Sequence, residues 1–195
     1  MAMARTVKAP EERKCEILDA AMELFVERGY ESTSLRDIAK HMGITPGLVY
    51  HYFDSKQKLF DEAMTLYVEE CTAEYVRVLR STDLDFRQKV DALFSSVTDE
   101  ESLRYHDFFH AQGNEELHRQ LALRLADYLC PHLADALRRS CEREGVAVAD
   151  PDLLVSFIAY GQIGLMADPA MPDPERLTKI REYIDVLFDS QIEGR

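Results

Sequence analysis

The sequence contains no long uninterrupted apolar run. A membrane-spanning helix needs about 20 consecutive predominantly apolar residues, and no segment of this 195-residue chain approaches that length. The residues that follow Met1 also lack the apolar core of a secretion signal. We therefore expect a cytoplasmic protein that has no membrane partner.

Cysteine, proline and glycine are scarce, with four, seven and eight residues. The four cysteines are scattered and none forms a C-x-x-C pair, which predicts free thiols rather than a disulfide framework. Proline and glycine stand between periodic apolar runs and not within alternating ones. The pattern predicts helices almost throughout and no strand.

Motifs of the common enzyme classes are absent as well. The sequence has no glycine-rich phosphate loop, no G-x-S-x-G segment and no H-E-x-x-H segment. Its many carboxylates lie on amphipathic helical patterns, where most form a solvated face. We predict neither an enzyme nor a bound cofactor or metal.

Negative charge is distributed unevenly. The formal net charge is −13 at pH 7, yet residues 1–58 contain equal numbers of basic and acidic side chains. The acidic excess therefore lies in the C-terminal two-thirds. Because phosphate is repelled by an acidic surface, any contact with nucleic acid is expected from the N-terminal end alone.

Two helices are predicted first along the chain. One runs from Pro10 or Glu11 to Arg28, with a single apolar stripe on a 3.6-residue period. The other runs from about Ser34 to His41, where Ser34 and Asp37 have the spacing of a capping box.

A tight turn follows at Gly43, whose lack of a side chain allows a positive φ. Thr45 is then expected to cap a third helix that continues to about Phe53, with Pro46 at its first position. Two short helices joined by a glycine turn are typical of a helix-turn-helix. A helical hairpin within a bundle gives the same spacing, so both interpretations stay open at this point.

A longer motif distinguishes these interpretations. Residues 43–59 read GITPGLVYHYFDSKQKL, which is a glycine turn, a short helix ending in Tyr-x-x-Phe, and Ser-Lys before a long helix. Together with ILDAA at 17–21 and TSLRDIA at 33–39, this segment resembles the TetR family of transcriptional repressors. The resemblance covers about residues 11–60. It implies an all-α fold of about nine helices, with a three-helix N-terminal DNA-binding domain and a helical ligand-binding and dimerisation domain.

The resemblance implies that the first turn of the third helix faces base edges through Thr45, Pro46, Gly47 and Leu48. Only Thr45 can hydrogen-bond a base through its side chain, whereas Pro46 and Leu48 offer apolar contact to a thymine methyl group. Because this surface carries few polar groups, we expect specificity to depend partly on DNA shape.

Phosphate contacts are implied around this helix. Tyr50 and Lys56 are the strongest candidates for a phosphate contact. His51 could contact a phosphate or a base. Tyr52 could contact a phosphate or pack against the first helix. Thr33 and Ser34 could also hold a phosphate, or could simply cap the second helix. Arg36 could face the DNA backbone or a base, or could be solvated. A basic arm along the adjacent groove, or else a disordered tail, would contain Arg5, Lys8, Arg13 and Lys14.

The remaining sequence predicts further helices. After Leu59 a long helix reaches Leu79 or Arg80, and in the TetR arrangement this helix transmits ligand binding. Asp83 is expected to cap the next helix, and Pro131 to kink a later one. The predicted ranges are 86–97, 103–110, 114–143, a helix starting at 150–151, and 174–190.

The last two helices are strongly apolar. In the family they pair with their two-fold mates, and the alternative is that they bury only against their own subunit. The predicted dimer residues are Leu154, Phe157, Ile158, Gly161, Gly164, Leu165, Ile180, Ile184, Leu187 and Phe188.

The middle helices supply candidates for an effector pocket, although an aromatic stripe at helical spacing is also typical of a core. These candidates are Tyr105, Phe108, Phe109, His110, Phe157, Tyr160 and Gln162. Their mixture of aromatic and polar groups suggests a small, partly hydrophobic effector.

Two other sensing chemistries have weak support. His106 and His110 have the i, i+4 spacing of metal ligands, with Asp107 and His118 nearby, but no further ligand at a fixed spacing. Nothing in the sequence marks Cys130 or Cys141 as an activated thiol.

We therefore expect a ligand-responsive repressor that binds a palindromic operator as a homodimer, with the helix-turn-helix in residues 1–55 and the sensor in residues 56–191. Dependence on ligand for DNA binding, or activation of transcription, stays open. A purely structural bundle would leave unexplained the neutral N-terminus and the Tyr-x-x-Phe motif. Residues 192–195 resemble a protease-cleavage linker and are set aside.

Overall fold

The computed structural model describes residues 9–96, 104–166 and 174–193. Within these ranges the chain forms nine α-helices and two short strands, which confirms the predicted all-α class. The helices are α1 (Pro10–Arg28), α2 (Leu35–His41), α3 (Pro46–Tyr52), α4 (Lys56–Arg80), α5 (Phe86–Ser96), α6 (His106–His110), α7 (Glu115–Glu144), α8 (Pro151–Met166) and α9 (Pro174–Gln191). The strands are β1 (Ala147–Val148) and β2 (Ile192–Glu193).

The strands correct the expectation of a chain without strands. Ala147 lies opposite Glu193 and Val148 opposite Ile192 in an antiparallel pair. Two residues are too few to show an alternating pattern, so no strand could be predicted here. Residues 192 and 193, set aside above as a linker, thus take part in the fold, whereas residues 194 and 195 lie outside the described residues.

The cap of α5 is Asp85 and not Asp83. The Asp85 backbone N–H donates to Gln88 Oε1 at 3.0 Å, and the Gln88 backbone N–H donates to Asp85 Oδ1 at 2.9 Å. Asp83 lies three residues before the helix, too far along the chain for this reciprocal bond. The glutamine at the third helical position distinguishes the two aspartates.

The chain divides into two compact units, residues 1–67 and 68–195, with the division inside α4. The boundary expected between residues 55 and 56 lies twelve residues before this division, at the start of α4, and stays a prediction. In the first unit, apolar side chains of α1 to α4 form the core. Its largest fully buried members are Ile17, Leu24, Phe25, Ile38, Val49, Phe53, Leu59, Phe60 and Met64.

In the second unit, the core joins the end of α4 to α5, α7, α8 and α9. Phe86 and Phe188 meet edge to face, with ring centroids 5.0 Å apart. Lys89 is buried beside this core, and burial together with the charges of Arg139 and Arg143 lowers its pKa. None of the described helices combines the length and the apolarity that crossing a membrane requires.

Candidate nucleic-acid interface

Helix α2 begins at a complete capping box. Ser34 Oγ accepts the Asp37 backbone N–H at 3.2 Å, and Asp37 Oδ2 accepts the Ser34 backbone N–H at 2.9 Å. The Ser34 hydroxyl also donates to Asp37 Oδ2, and these bonds lower the pKa of the Asp37 carboxyl. The capping box predicted from sequence is confirmed, and it fixes where α2 starts.

Gly43 ends α2 and turns the chain toward α3. Its φ is +64°, and its N–H donates to the Lys40 carbonyl at 3.2 Å. The Ile44 N–H donates to the Ala39 carbonyl at 3.0 Å, which completes a Schellman motif. Because this motif needs a left-handed residue at Gly43, the angle between the two short helices is set locally.

Helix α3 buries one side and exposes its first turn. Val49 and Phe53 are buried, whereas Thr45, Pro46 and Gly47 are exposed. Thr45 precedes the helix as expected, but its side chain makes no capping hydrogen bond. Leu48 is partly buried. The first turn therefore presents a surface with a single side-chain hydroxyl.

Gly47 has no structural requirement for glycine within its own unit. Its φ is not positive, and a Cβ built at this position would meet no atom within 4 Å. Glycine inside a helix is less favourable than alanine by about 0.5–1 kcal/mol. A requirement for glycine at this position would therefore come from a molecule that approaches α3.

The second half of α3 carries three polar rings. Tyr50 is 48% exposed and His51 is exposed, whereas Tyr52 is partly buried. The Tyr52 ring lies 6.4 Å from the Phe53 ring and 5.3 Å from the His51 ring, centroid to centroid. Tyr50 and His51 are therefore accessible, and the position of Tyr52 favours packing.

The structure corrects the expectation for Thr33. Its side chain is 2% exposed, and its hydroxyl donates to the Gly29 carbonyl at 3.0 Å and lies 3.4 Å from the Leu24 carbonyl. A hydroxyl held inside the fold does not reach a phosphate. Ser34 and Arg36 are exposed.

Lys56, the first residue of α4, lies against the α1–α2 loop. Its ammonium donates to the Tyr30 carbonyl at 2.9 Å and to the Glu31 carbonyl at 3.4 Å. It also lies 4.3 Å from the centroid of the Tyr30 ring. The predicted phosphate ligand is thus engaged within the protein itself, a contact that no sequence pattern indicated.

The basic arm is only partly described. Arg13 and Lys14 belong to α1, where Arg13 pairs with Glu16 at 2.7 Å and Lys14 with Glu62 at 2.5 Å. The bond to Glu62 raises the pKa of Lys14. These two residues are therefore not part of a flexible arm, and Arg5 and Lys8 lie outside the described residues.

The predicted effector residues do not share one environment. Tyr105, Phe108 and Phe109 are buried, and His110 is exposed. Phe157 is 67% exposed, Tyr160 is 40% exposed and Gln162 is partly buried. The Tyr160 hydroxyl donates to the Asp127 carboxylate, which raises the pKa of Tyr160 to about 12.

A cavity of about 490 Å³ opens elsewhere in the second unit. It contains none of the predicted effector residues. Its lining residues are Ala73, Val76, Arg77, Arg80, Ser81, Thr82 and Asp83.

Four predicted dimer residues belong instead to the core of their own unit. Leu154, Ile180, Ile184 and Phe188 are at most 9% exposed and pack with Phe86 and Leu137. Ile158 and Leu187 are partly buried against the same core. A partner cannot reach these side chains, so the prediction is wrong for them. Phe157 and Gly161, which were also predicted, lie on the exposed side of α8.

Both helices turn other apolar residues to solvent. On α8 these are Leu153, Phe157 and Tyr160, which are 40–67% exposed, with Gly161 also exposed; on α9 they are Tyr183 and Val186, at 65% and 66%. Leu153, Tyr183 and Val186 were not among the predicted dimer residues. Leu153, Phe157 and Tyr160 have i, i+4, i+7 spacing, which was the available signal. Gly164 and Leu165, which were also predicted, lie near the end of α8, and their surroundings lie outside the described part of the structure.

Three histidines cluster near α6. The His106 and His110 rings stack with centroids 4.0 Å apart, and His118 lies 4.5 Å from His110. Burial, and then the charges of His110 and His106, lower the pKa of His118. In the described ranges, no group of three or more His, Cys, Asp or Glu side chains could hold a metal ion.

Neither buried cysteine is activated as a thiolate. Burial raises the pKa of both Cys130 and Cys141, and a hydrogen bond from Ser156 offsets this only partly at Cys130. A raised pKa keeps a thiol protonated and poorly nucleophilic.

Residues 17–63 match the sequence model of the bacterial regulatory proteins, tetR family. The HTH-type transcriptional repressor KstR2 of Rhodococcus jostii is 39% identical over 84 residues, which are 43% of this chain and 41% of that protein. The chain thus spans less than half the length of this curated relative, and the matched part contains the helix-turn-helix.

Solved structures share the fold across most of the chain. Salmonella enterica GusR has a TM-score of 0.60 at 19% identity, covering 95% of this chain and all of that one. RolR in complex with its ligand resorcinol has a TM-score of 0.61 at 18% identity, covering 89% of this chain and 86% of that one.

Proposed function

We propose that the chain is a ligand-responsive transcriptional repressor of the TetR type, because residues 17–63 match the sequence model of that family. It binds a palindromic operator in double-stranded DNA as a homodimer, and a small, partly hydrophobic effector releases it. The observation that carries the proposal is the exposed first turn of α3, which follows the glycine turn at the end of α2 and contains a glycine that its own unit does not need.

Helix α3 is the reading element in this proposal. It fits the major groove of DNA, which is about 12 Å wide, with its first turn toward the base edges. Thr45 hydrogen-bonds a base, Pro46 and Leu48 contact thymine methyl groups, and Gly47 lets the backbone approach. Such a surface reads few bases directly, so DNA shape supplies part of the specificity.

Residues beside this turn hold the DNA backbone. Tyr50 and His51 are exposed at the far half of α3, and Arg36 is exposed on α2. A tyrosine hydroxyl donates to a phosphate oxygen whatever the sequence, and an arginine adds charge. These contacts set the affinity and orientation of the protein without selecting bases. The acidic C-terminal unit makes no contact with DNA.

The exposed apolar residues of α8 and α9 form the dimer interface. Phe157 and Tyr183 would otherwise leave large apolar surfaces in water, which is unfavourable in proportion to their area. A two-fold interface presents the same patch on both subunits and matches a palindromic operator. Gly161, which is also exposed on α8, lets the paired helices approach closely.

The effector acts by shifting a population. In the DNA-binding state the two α3 helices are separated by one DNA turn or a multiple of it. An effector bound in the second unit favours an arrangement in which this spacing is wrong, so that DNA is released. The buried aromatic residues Tyr105, Phe108 and Phe109 are the candidate apolar contacts for it.

Selection of duplexes from a random pool, at two salt concentrations, tests the proposal. We expect a palindrome to be enriched and its binding to weaken as salt rises. Tyr50→Phe should weaken binding to all duplexes alike, whereas Thr45→Ala should change the preference among them. The absence of any enriched sequence at low salt would contradict the proposal.

A further inference from the structure

Three histidine rings lie in contact where α6 meets the start of α7. His106 and His110 are one helical turn apart on α6, and their rings stack with centroids 4.0 Å apart and an interplanar angle of 21°. His118, in the first turn of α7, places its ring 4.5 Å from that of His110. His106 and His118 are partly buried, and His110 is exposed. We call these three side chains the histidine cluster.

The hydrogen bonds of the two stacked rings fix where each ring carries its proton. His110 Nδ1 lies 2.9 Å from the His106 carbonyl oxygen, and His106 Nδ1 lies 3.2 Å from Asp107 Oδ1. Because a carbonyl oxygen and an ionised carboxylate only accept hydrogen bonds, both Nδ1 atoms are donors. The neutral rings therefore have no proton on Nε2, and acid adds a proton and a positive charge to each ring at that atom.

The other charged groups of α6 and of the start of α7 compensate such a charge only in part. Helix α6 packs mainly against α7. On α7, Glu115 accepts a backbone N–H at 3.0 Å, and Glu116 pairs with Arg119 at 2.7 Å. Arg104, just before α6, adds a positive charge. Asp107 contacts the cluster, but its carboxylate is fully exposed, so water screens its charge.

His118 is the member of the cluster that resists protonation in the folded protein. Burial, and then the charges of His110 and His106, lower its pKa from the ordinary value of 6.5. Its position in the first turn of a 30-residue helix acts in the same direction, because the N-terminal end of a helix dipole disfavours a cation. When the segment opens, the ordinary pKa returns. The open state therefore binds the proton first as the pH falls, and acid favours opening.

The cluster lies on a helix that is too short to be stable alone. Helix α6 has five residues, and its Phe108 and Phe109 side chains are buried. Asn114 Nδ2 donates to the Phe108 carbonyl at 2.6 Å and so fixes the turn between α6 and α7 without a titratable group. Because one helical turn has little stability of its own, the position of α6 depends on these contacts.

We propose that the histidine cluster is an acid-sensitive latch, which holds α6 against α7 at neutral pH and releases it at mildly acidic pH, exposing Phe108 and Phe109. Positive charges on both stacked rings separate them, because two imidazolium groups with centroids 4.0 Å apart repel each other. Protonation of His118 adds repulsion across the contact between α6 and α7. The inference goes beyond the proposed DNA binding and requires neither an operator nor an effector.

Hydrogen exchange of the full-length protein at pH 7.5 and at pH 5.5 tests the latch. Each rate is divided by that of an unstructured peptide of the same sequence at the same pH, which removes the intrinsic effect of pH on exchange. We expect the protection of residues 108–118 to fall about tenfold at pH 5.5, the ratio for one histidine with a pKa of 6.5 that is protonated only in the open state. Protection in α1 should change less than about twofold, because the opening is local.

Three variants separate the latch from general destabilisation by acid. His118→Gln removes the titrating ring and should reduce the fall in protection to less than about twofold. His132→Gln is the matched control and should keep the tenfold fall, because His132 is partly buried on the same helix but lies about 21 Å further along its axis. Asn114→Ala loses the bond to the Phe108 carbonyl and should lower protection by the same factor at both pH values.

Two results would overturn the inference. The first is equal wild-type protection of residues 108–118 at the two pH values, and the second is a His118→Gln protein that keeps the tenfold fall. A fall of the same size in α1 would also count against it, because acid would then unfold the whole chain. If His118→Gln does not fold, His106→Gln removes one of the stacked rings instead and should likewise reduce the fall. None of these measurements uses DNA, so a failure of the proposed DNA binding would leave their outcome unchanged.

Discussion

Two glycines four residues apart, Gly43 and Gly47, should respond to alanine in opposite ways. At Gly43 a Cβ would meet no atom within 4 Å, but the φ of +64° is left-handed. Alanine there costs about 1–2 kcal/mol of stability through backbone strain alone. At Gly47 the space is equally open and φ is not positive, so alanine should stabilise α3 by about 0.5 kcal/mol.

At Gly47, substitution by alanine should change DNA affinity and stability in opposite directions. If the first turn of α3 lies against base edges, an added methyl group occupies the space through which the backbone approaches. We expect Gly47→Ala to lose at least tenfold in operator affinity, about 1.4 kcal/mol, although the protein is more stable. Thermal unfolding and a titration of the enriched duplex measure the two quantities.

The stabilities and DNA affinities of Gly43→Ala and Gly47→Ala together test whether α3 lies against DNA. Gly43→Ala, which should melt earlier than wild type, serves as the control that the unfolding assay detects changes in this unit. A Gly47→Ala protein that is more stable and binds DNA as wild type does would refute the placement of α3 on the DNA. A less stable Gly47→Ala protein would refute the claim that the backbone at Gly47 accepts a side chain without strain or collision.

Three further outcomes are expected. Phe157→Asp should convert the dimer to monomer in sedimentation velocity, because a 67% exposed ring is replaced by a charge on both sides of a two-fold interface; Leu123→Asp, at an exposed leucine of α7, should leave the dimer intact. Lys89→Met should raise the unfolding free energy by on the order of 1 kcal/mol at pH 7, because a buried charge is removed. Because burial lowers the Lys89 pKa in the folded state, its penalty is fully present below that folded-state pKa and is lost as pH rises from there to the ordinary lysine pKa. Wild-type stability relative to Lys89→Met should therefore recover as pH rises toward the ordinary lysine pKa in urea titrations, and a constant difference would contradict this assignment.

The N-terminal helices could be predicted because their signals are local. The capping box at Ser34, the turn glycine at Gly43 and the proline at Pro46 each act within a few residues, and each lies where the sequence placed it. The cap of α5 shows the limit of such signals, since Asp83 and Asp85 both suit the role until Gln88 is considered.

The outward side of α8 could not be predicted from periodicity. Apolar residues of α8 lie on all sides of the helix, so the sequence contains no single apolar stripe that would distinguish the buried side from the exposed side. The structure places Leu154 in the core and Leu153 and Phe157 in solvent because packing against α7 and α9 selects one side. The Thr33 hydroxyl and the Lys56 ammonium were missed for a related reason, since their partners are backbone carbonyls of segments that only the folded chain brings near.

A footprint of the wild-type protein on its enriched duplex tests the central claim most directly. Methylation protection at guanine N7 reports contact in the major groove, where α3 is proposed to lie. We predict two protected patches related by two-fold symmetry, with centres about 34 Å or a multiple of that apart. Protection confined to the minor groove, or a single patch without symmetry, would contradict the account.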